Sequence, residues 1–215
     1  MPDVGNRRRP VALTSGGAEA DRLRATAFAL LLGTGRAIEV AEIAAAADLD
    51  DIGPSLEALA DRGQVDRDPQ GRVTGAAGLS LDHGPHLLNI AGRGFRTWCA
   101  FDAVGIAAAL TADASIETRC GWCGSAIPIS FRSGIVEGPN APRLWLAAGG
   151  VDLRADFCEP TVLLCSADHA HRWGAAHGGH GKVLTMEAAA SLGAVEWQGC
   201  AETATRLGAW EAGAG

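Results

Sequence analysis

Apolar residues fall at intervals of three and four from residue 21 onward, with Leu23, Ala27, Leu30 and Leu31 on one face of a helix that Gly33 and Gly35 end. A second helix is expected over 39–47. A third is expected over 52–62, where Leu56 and Leu59 share a face and Gly63 follows as a stop. Residues 64–73 read as two short strands around Asp68-Pro69-Gln70-Gly71, a composition that favours a tight turn. Three short helices and a hairpin follow the order of a winged helix. Beyond Gly75 the helical period gives way to brief apolar runs at 87–91, 127–131, 144–147 and 162–165, which predict short, mainly antiparallel strands. Two helices interrupt them, an Ala-rich one over 99–110 with Thr97 as its N-cap and another over 186–192. The pattern therefore predicts an α+β protein in two parts. A winged-helix-like three-helix domain occupies 21–82, and a mixed, mainly antiparallel β core with helices occupies 83–215. Residues 1–20 carry no period and are expected to form a disordered tail.

Composition narrows the function classes. Of 215 residues 47% are hydrophobic and 20% charged, which suits a globular protein rather than a disordered chain. Eighteen Lys and Arg face 25 Asp and Glu, for a net charge of -7, and this balance weighs against binding nucleic acid by phosphate neutralisation. The third helix agrees: Glu57, Asp61 and Arg62 offer little to base edges, so a structural or partner-docking role is expected for the N-terminal part. The apolar run at 25–32 is far short of the roughly 20 residues of a membrane span. No apolar segment follows Arg7-Arg8-Arg9 as a signal peptide requires. A cytoplasmic location without membrane partners is expected. Neither the isolated Gly105 nor Gly178-Gly179-His180-Gly181, which no Lys-Ser/Thr pair follows, makes a phosphate loop.

Six cysteines, at 99, 120, 123, 158, 165 and 200, need a chemical or packing explanation in a reducing compartment. Cys99 opens the predicted Ala-rich helix, where unpaired amides and the helix dipole favour a thiolate and are expected to lower its pKa. Asp102 lies three residues on, within reach of the sulfur; plain packing of Cys99 under Trp98, with Asp102 complementing the dipole, is the alternative. Cys158, in Asp156-Phe157-Cys158-Glu159-Pro160, reads as an accessible loop thiol, and Cys165, in an apolar run, as core. Cys120-Gly121-Trp122-Cys123 could be half a zinc site or a redox pair, but no second ligand pair of matching spacing is evident. His169, His171, His177 and His180 could supply nitrogen ligands, but their irregular spacing in a Gly-rich stretch reads as a solvated loop.

The segment Arg96-Thr97-Trp98-Cys99-Ala100-Phe101-Asp102-Ala103 resembles the Trp-Cys-Ala-x-Asp segment of the alkylmercury lyase (organomercurial lyase) family. Asp156-Phe157-Cys158 resembles its second cysteine segment. Thr118-Arg119-Cys120, the stretch 124–129, Trp173 to His177 and the stretch 186–193 extend the resemblance to roughly residues 21–195, including a winged-helix-like N-terminal part. The resemblance implies protonolysis of the carbon–mercury bond of R–Hg+ to R–H and Hg(II). Cys99 and Cys158 would bind mercury, a soft cation that prefers thiolate, and Asp102 would relay the proton. It implies no cofactor, mercury being substrate and product, and low-molecular-weight thiols or a mercuric reductase as acceptors of Hg(II). Trp98, Phe101 and Phe157 are placed to give the site an apolar lining.

The chain departs from the family pattern in carrying Glu159 where its best-known members have a second adjacent cysteine, in Trp122 and Cys123, and in having no Tyr. Two other readings remain open: the same scaffold acting on another carbon–heteroatom bond such as carbon–sulfur in a biosynthetic pathway, or a thiolate metal-binding or transfer protein that needs Cys99 and Cys158 but not Asp102. A winged-helix metal sensor is disfavoured by the acidic third helix.

Overall fold

The first apolar face forms as expected but starts early: in a computed structural model, which describes residues 16–138 and 141–211, helix α1 runs Gly17–Thr34. Ala18-Glu19-Ala20 are good helix formers and Glu19 complements the N-terminal dipole, so the Gly16-Gly17 pair opens the helix, Gly16 as its N-cap, rather than breaking it. Of the expected tail over 1–20, residues 1–15 lie outside the described residues and 17–20 are helical. Leu23, Phe28 and Leu31 are fully buried, and the helix ends where the left-handed Gly35 returns its N–H to the Leu31 carbonyl. Helices α2 (Val40–Ala47) and α3 (Gly53–Asp61) follow, α3 with Pro54 in its first turn.

Strands β1 (Val65–Arg67) and β2 (Val73–Ala76) form the expected hairpin, its turn held by the Asp68 carboxylate accepting from Gln70 and Arg72 N–H. The ladder does not stop there. β2 pairs with β3 (Leu79–Ser80), β3 with β5 (Arg93–Thr97), and the sheet continues through β4 (His86–Ile90), β6 (Ala114–Arg119), β7 (Ala126–Arg132) and β8 (Ile135–Glu137), antiparallel throughout. In β7, Ile127, Ile129 and Phe131 face inward while their neighbours are exposed, the alternation of a sheet with one wet face. A second antiparallel sheet places β9 (Arg143–Ala147) between β10 (Val162–Leu164) and β11 (Gly181–Thr185).

Helix α4 (Ala100–Ala109) packs on strands of both sheets and is buried from Ala100 to Ala108. Helix α6 (Met186–Glu196) crosses it backbone to backbone: a Cβ at Gly105 would overlap the Trp197 ring, and one at Gly193 would overlap the Gly105 Cα. Helices α5 (Ala167–Ala176) and α7 (Gln198–Arg206) complete the chain. α5 corrects the expected histidine loop, since Ser166 caps a helix that carries His169 and His171. No helix among the described residues is long and apolar enough to cross a membrane.

Candidate functional site

Strand β5 retains Thr97, so the residue that caps α4 is Cys99. The Asp102 carboxylate accepts the Cys99 N–H at 2.7 Å while the Asp102 N–H points back at the Cys99 sulfur, a reciprocal capping box with a thiol in place of the usual hydroxyl. Thr97, the cap expected from sequence, instead donates its hydroxyl to the Cys99 carbonyl. Cys158 closes a widened, π-helical turn, Leu153–Cys158, in which Glu159 N–H reaches the Arg154 carbonyl and Asp152 accepts from Arg154 and Ala155 N–H. Buried Thr161 ties the two segments together: its N–H donates to the Cys158 carbonyl and its carbonyl accepts from Ala100 N–H. The Cys99 and Cys158 sulfurs and an Asp102 carboxylate oxygen consequently lie within 4.8 Å of one another, all three residues buried.

Burial dominates the electrostatics. The Cys99 thiol is pushed well up from its ordinary value by desolvation, reinforced by Cys158 and the Asp102 charge. This reverses the lowered value expected from the helix terminus. Asp102 already occupies that terminus as its anion, and the amides offset only part of the cost of a second buried charge. Burial also pushes Asp102 up to about 6, against hydrogen bonds from Cys99 and the Arg154 charge, which pull it down. The β2–β3 turn closes over this carboxylate. At Gly78 (φ +88°) a Cβ would stand 2.5 Å from the Asp102 Cγ, so both the backbone conformation and the space require glycine.

A cleft of about 440 Å³ gives access, lined by Cys158 with Trp98, Arg154, Glu159 and His86 among others; Cys99 and Asp102 do not line it. Asp66 on the hairpin fastens two of its walls. It accepts the Trp98 indole N–H and the Arg154 guanidinium, each at 2.7 Å, and that guanidinium stacks 3.3 Å from the Trp98 ring centroid. Of the three aromatics expected to line the site only Trp98 does so. Phe101 and Phe157 pack edge-to-face in the core, Phe101 also against Trp197, because the helical period turns them inward. Glu159 is exposed on the cleft. His86, which no sequence signal singles out, is buried, shares a 2.6 Å hydrogen bond with Thr118 through Nδ1, and is driven down to about 4 by desolvation.

A second cluster completes the half site expected at Cys120 and Cys123 with two residues that were not expected to join them. Cys120, Cys123, Cys165 and His169 bring their ligand atoms within 4.8 Å of one another. Cys165 is half-buried beyond the end of β10 rather than core, and the missed signal is its spacing of four residues from His169 across the start of α5. Cys200 is buried on α7, its thiol pushed up to about 12 by desolvation, and fills a packing position.

Residues 79–198, more than half of the chain, match the family model described as alkylmercury lyase. Relatives named alkylmercury lyase include those of Pseudomonas putida, 28% identical over 59% of this chain and 60% of that protein, and Bacillus cereus, 30% identical over 60% of each. That of Streptomyces lividans is 28% identical over 66% of this chain and 67% of that protein. The chain thus spans about 60% of the length of the first two. A crystal structure described as the mercury-bound form of MerB2 superposes with a TM-score of 0.77 over 89% of this chain and 95% of that one at 23% identity, a likeness of fold. With the family model matched across α4, strands β3 to β11 and the Cys158 turn, this chain belongs to the alkylmercury lyase family.

Proposed function

We propose that the protein is an organomercurial lyase in which Cys99 and Cys158 take R–Hg+ and Asp102 moves the proton that releases R–H. The observation that carries this reading is the mutual approach, within 4.8 Å, of two sulfurs and one carboxylate oxygen contributed by distant segments. Cys158, which lines the cleft, meets the organomercurial first and displaces the small thiol on mercury; Cys99 behind it becomes the second sulfur donor. Binding mercury acidifies the Cys99 thiol, whose proton passes to Asp102. A carboxyl group at about 6 is basic enough to accept that proton and acidic enough to deliver it to the departing carbon. The overall balance is R–Hg+ carried on a small thiolate plus two protein thiols giving R–H, mercury held by two protein thiolates, and the small thiol, which leaves with the Cys158 proton. Small thiols, or a mercuric reductase, remove Hg(II). No cofactor takes part, and the reaction belongs in the cytoplasm, where such thiols are abundant.

Helices α1–α3 with the β1–β2 hairpin serve in this reading as a winged-helix-like unit over 21–82. Its Asp66 and the Gly63 carbonyl hold Arg154, and through it the Cys158 turn.

The test is incubation with phenylmercury and excess small thiol, measuring benzene and protein-bound mercury. Wild-type protein should release benzene catalytically, and Asp102→Ala should bind mercury without releasing it. Mercury binding by the wild type with no benzene formed would replace this reading by that of a thiolate metal-transfer protein.

A further inference from the structure

We propose that Cys120, Cys123, Cys165 and His169 hold a resident tetrahedral zinc ion that staples the two sheets together and is separate from the Cys99–Cys158 pair. Zinc bonds of about 2.3 Å to sulfur and about 2.0–2.1 Å to nitrogen require, in a tetrahedron, S···S edges of about 3.8 Å and S···N edges of about 3.6 Å. The Cys123 and Cys165 sulfurs lie 3.8 Å apart, and the Cys120 sulfur lies 3.6 Å from His169 Nδ1. The Cys165 sulfur is closer to that nitrogen, at 3.1 Å, and opens by about half an ångström to seat an ion. A disulfide needs its sulfurs near 2.0 Å, so this spacing is not that of a redox pair in its bridged form.

The backbone is arranged for metal ligands. Cys120 and Cys123 sit on a tight turn closed by the Gly124 N–H on the Cys120 carbonyl, and the Cys165 N–H points at the Cys120 sulfur from 3.4 Å, a donor suited to a thiolate. His169 is fixed in the first turn of α5. Three thiolates and one imidazole form a closed set with no position left for substrate, as in structural zinc sites. Exposed Cys123 leaves a path for the ion.

The ligands join the β6–β7 turn of the large sheet to the β10–α5 corner of the small one, where the direct backbone bond Gly121 N–H to Leu163 carbonyl already bridges them. β10 leads back through Thr161 to Cys158, so the ion would anchor the segment that carries one sulfur of the candidate active site.

The test is metal analysis of the full chain purified with a non-thiol reductant, followed by zinc reconstitution and titration with Co(II). About one zinc per chain is expected, with X-ray absorption showing three sulfurs and one nitrogen and Co(II) giving the intense visible bands of a tetrahedral thiolate site. Cys123→Ser and His169→Ala should each lose the ion, the Cys99→Ser/Cys158→Ser double variant should keep it, and chelation should lower the Tm by several degrees. Absence of stoichiometric zinc after reconstitution together with no tetrahedral Co(II) spectrum in the wild-type protein would overturn the proposal. So would zinc that survives both ligand substitutions, or that leaves with Cys99 and Cys158. The Co(II) titration uses unmodified protein, so the outcome does not depend on any variant folding.

Discussion

Replacing Asp102 by Asn should stabilise the protein while abolishing hydrocarbon release. Asp102 titrates near 6 in the folded chain because burial disfavours its anion, against about 3.9 in an unfolded one. The sign follows from proton counts: between these values the folded state binds more protons than the unfolded one, so stability falls as pH rises. The gap between the folded and unfolded values corresponds to about 3 kcal/mol of stability forgone at neutral pH and little below pH 4. An asparagine retains an acceptor for the Cys99 N–H, the bond that caps α4, and cannot ionise. Urea unfolding of both proteins under reductant, at pH 4, 6 and 7.5, isolates this one group because every other titration is common to the pair. The advantage of the variant should grow by about 2–3 kcal/mol from pH 4 to pH 7.5, with most of the change below pH 6. A difference that stays flat across this range would refute a desolvated Asp102 and, with it, the proton donor proposed for the reaction.

Gly78→Ala should cost about 2 kcal/mol or more, since it forces a left-handed alanine against the Asp102 carboxyl; combining it with Asp102→Ala should recover part of the loss in a double-mutant cycle. Gly105→Ala should destabilise by about 1–3 kcal/mol through its clash with Trp197 and Gly193, whereas Gly199→Ala, with open space around it on α7, should be neutral or gain about 0.5 kcal/mol in the same urea melts. His86, held near 4, should show no imidazole titration by NMR between pH 8 and pH 5; its contribution is present above pH 6.5, its unfolded value, and is lost as pH falls toward 4.

What the sequence discloses follows from which interactions are local. Helices α1 to α3 and the first hairpin are readable because their apolar period and the Asp68 turn are properties of contiguous residues. Helix α7 is not, since only Cys200 and Ala204 are buried along it and no apolar stripe marks it. Cys99, Asp102 and Cys158 can be named from a motif, and the capping box explains why the first two are neighbours. Nothing local shows that the turn after Asp152 widens to present Cys158. The Cys120 cluster is only half legible for the same reason: its two halves are separated by β7, β8, β9, the Cys158 turn and β10, and the second half is a cysteine that ends an apolar run and a histidine in a segment with the composition of a loop.

The largest reversal, the raised rather than lowered Cys99 pKa, changes what the site is suited for. A thiolate generated at a helix terminus would bind mercury quickly but would have given its proton to solvent beforehand, and protonolysis consumes one proton for every carbon–mercury bond broken. A buried thiol keeps that proton until the metal arrives. In the proposed reaction mercury does what the protein environment does not: it would lower the thiol's affinity for hydrogen at the moment when a carboxylate within 4.8 Å can receive it. The β2–β3 turn, which lies against the Asp102 carboxyl at Gly78, would in that reaction shield the transferred proton from bulk water. On this view the burial that costs stability at Asp102, and that keeps Cys99 a thiol, is what couples metal binding to proton delivery. In the proposed reaction a site with both thiols ionised at rest would have to draw that proton from outside the pair.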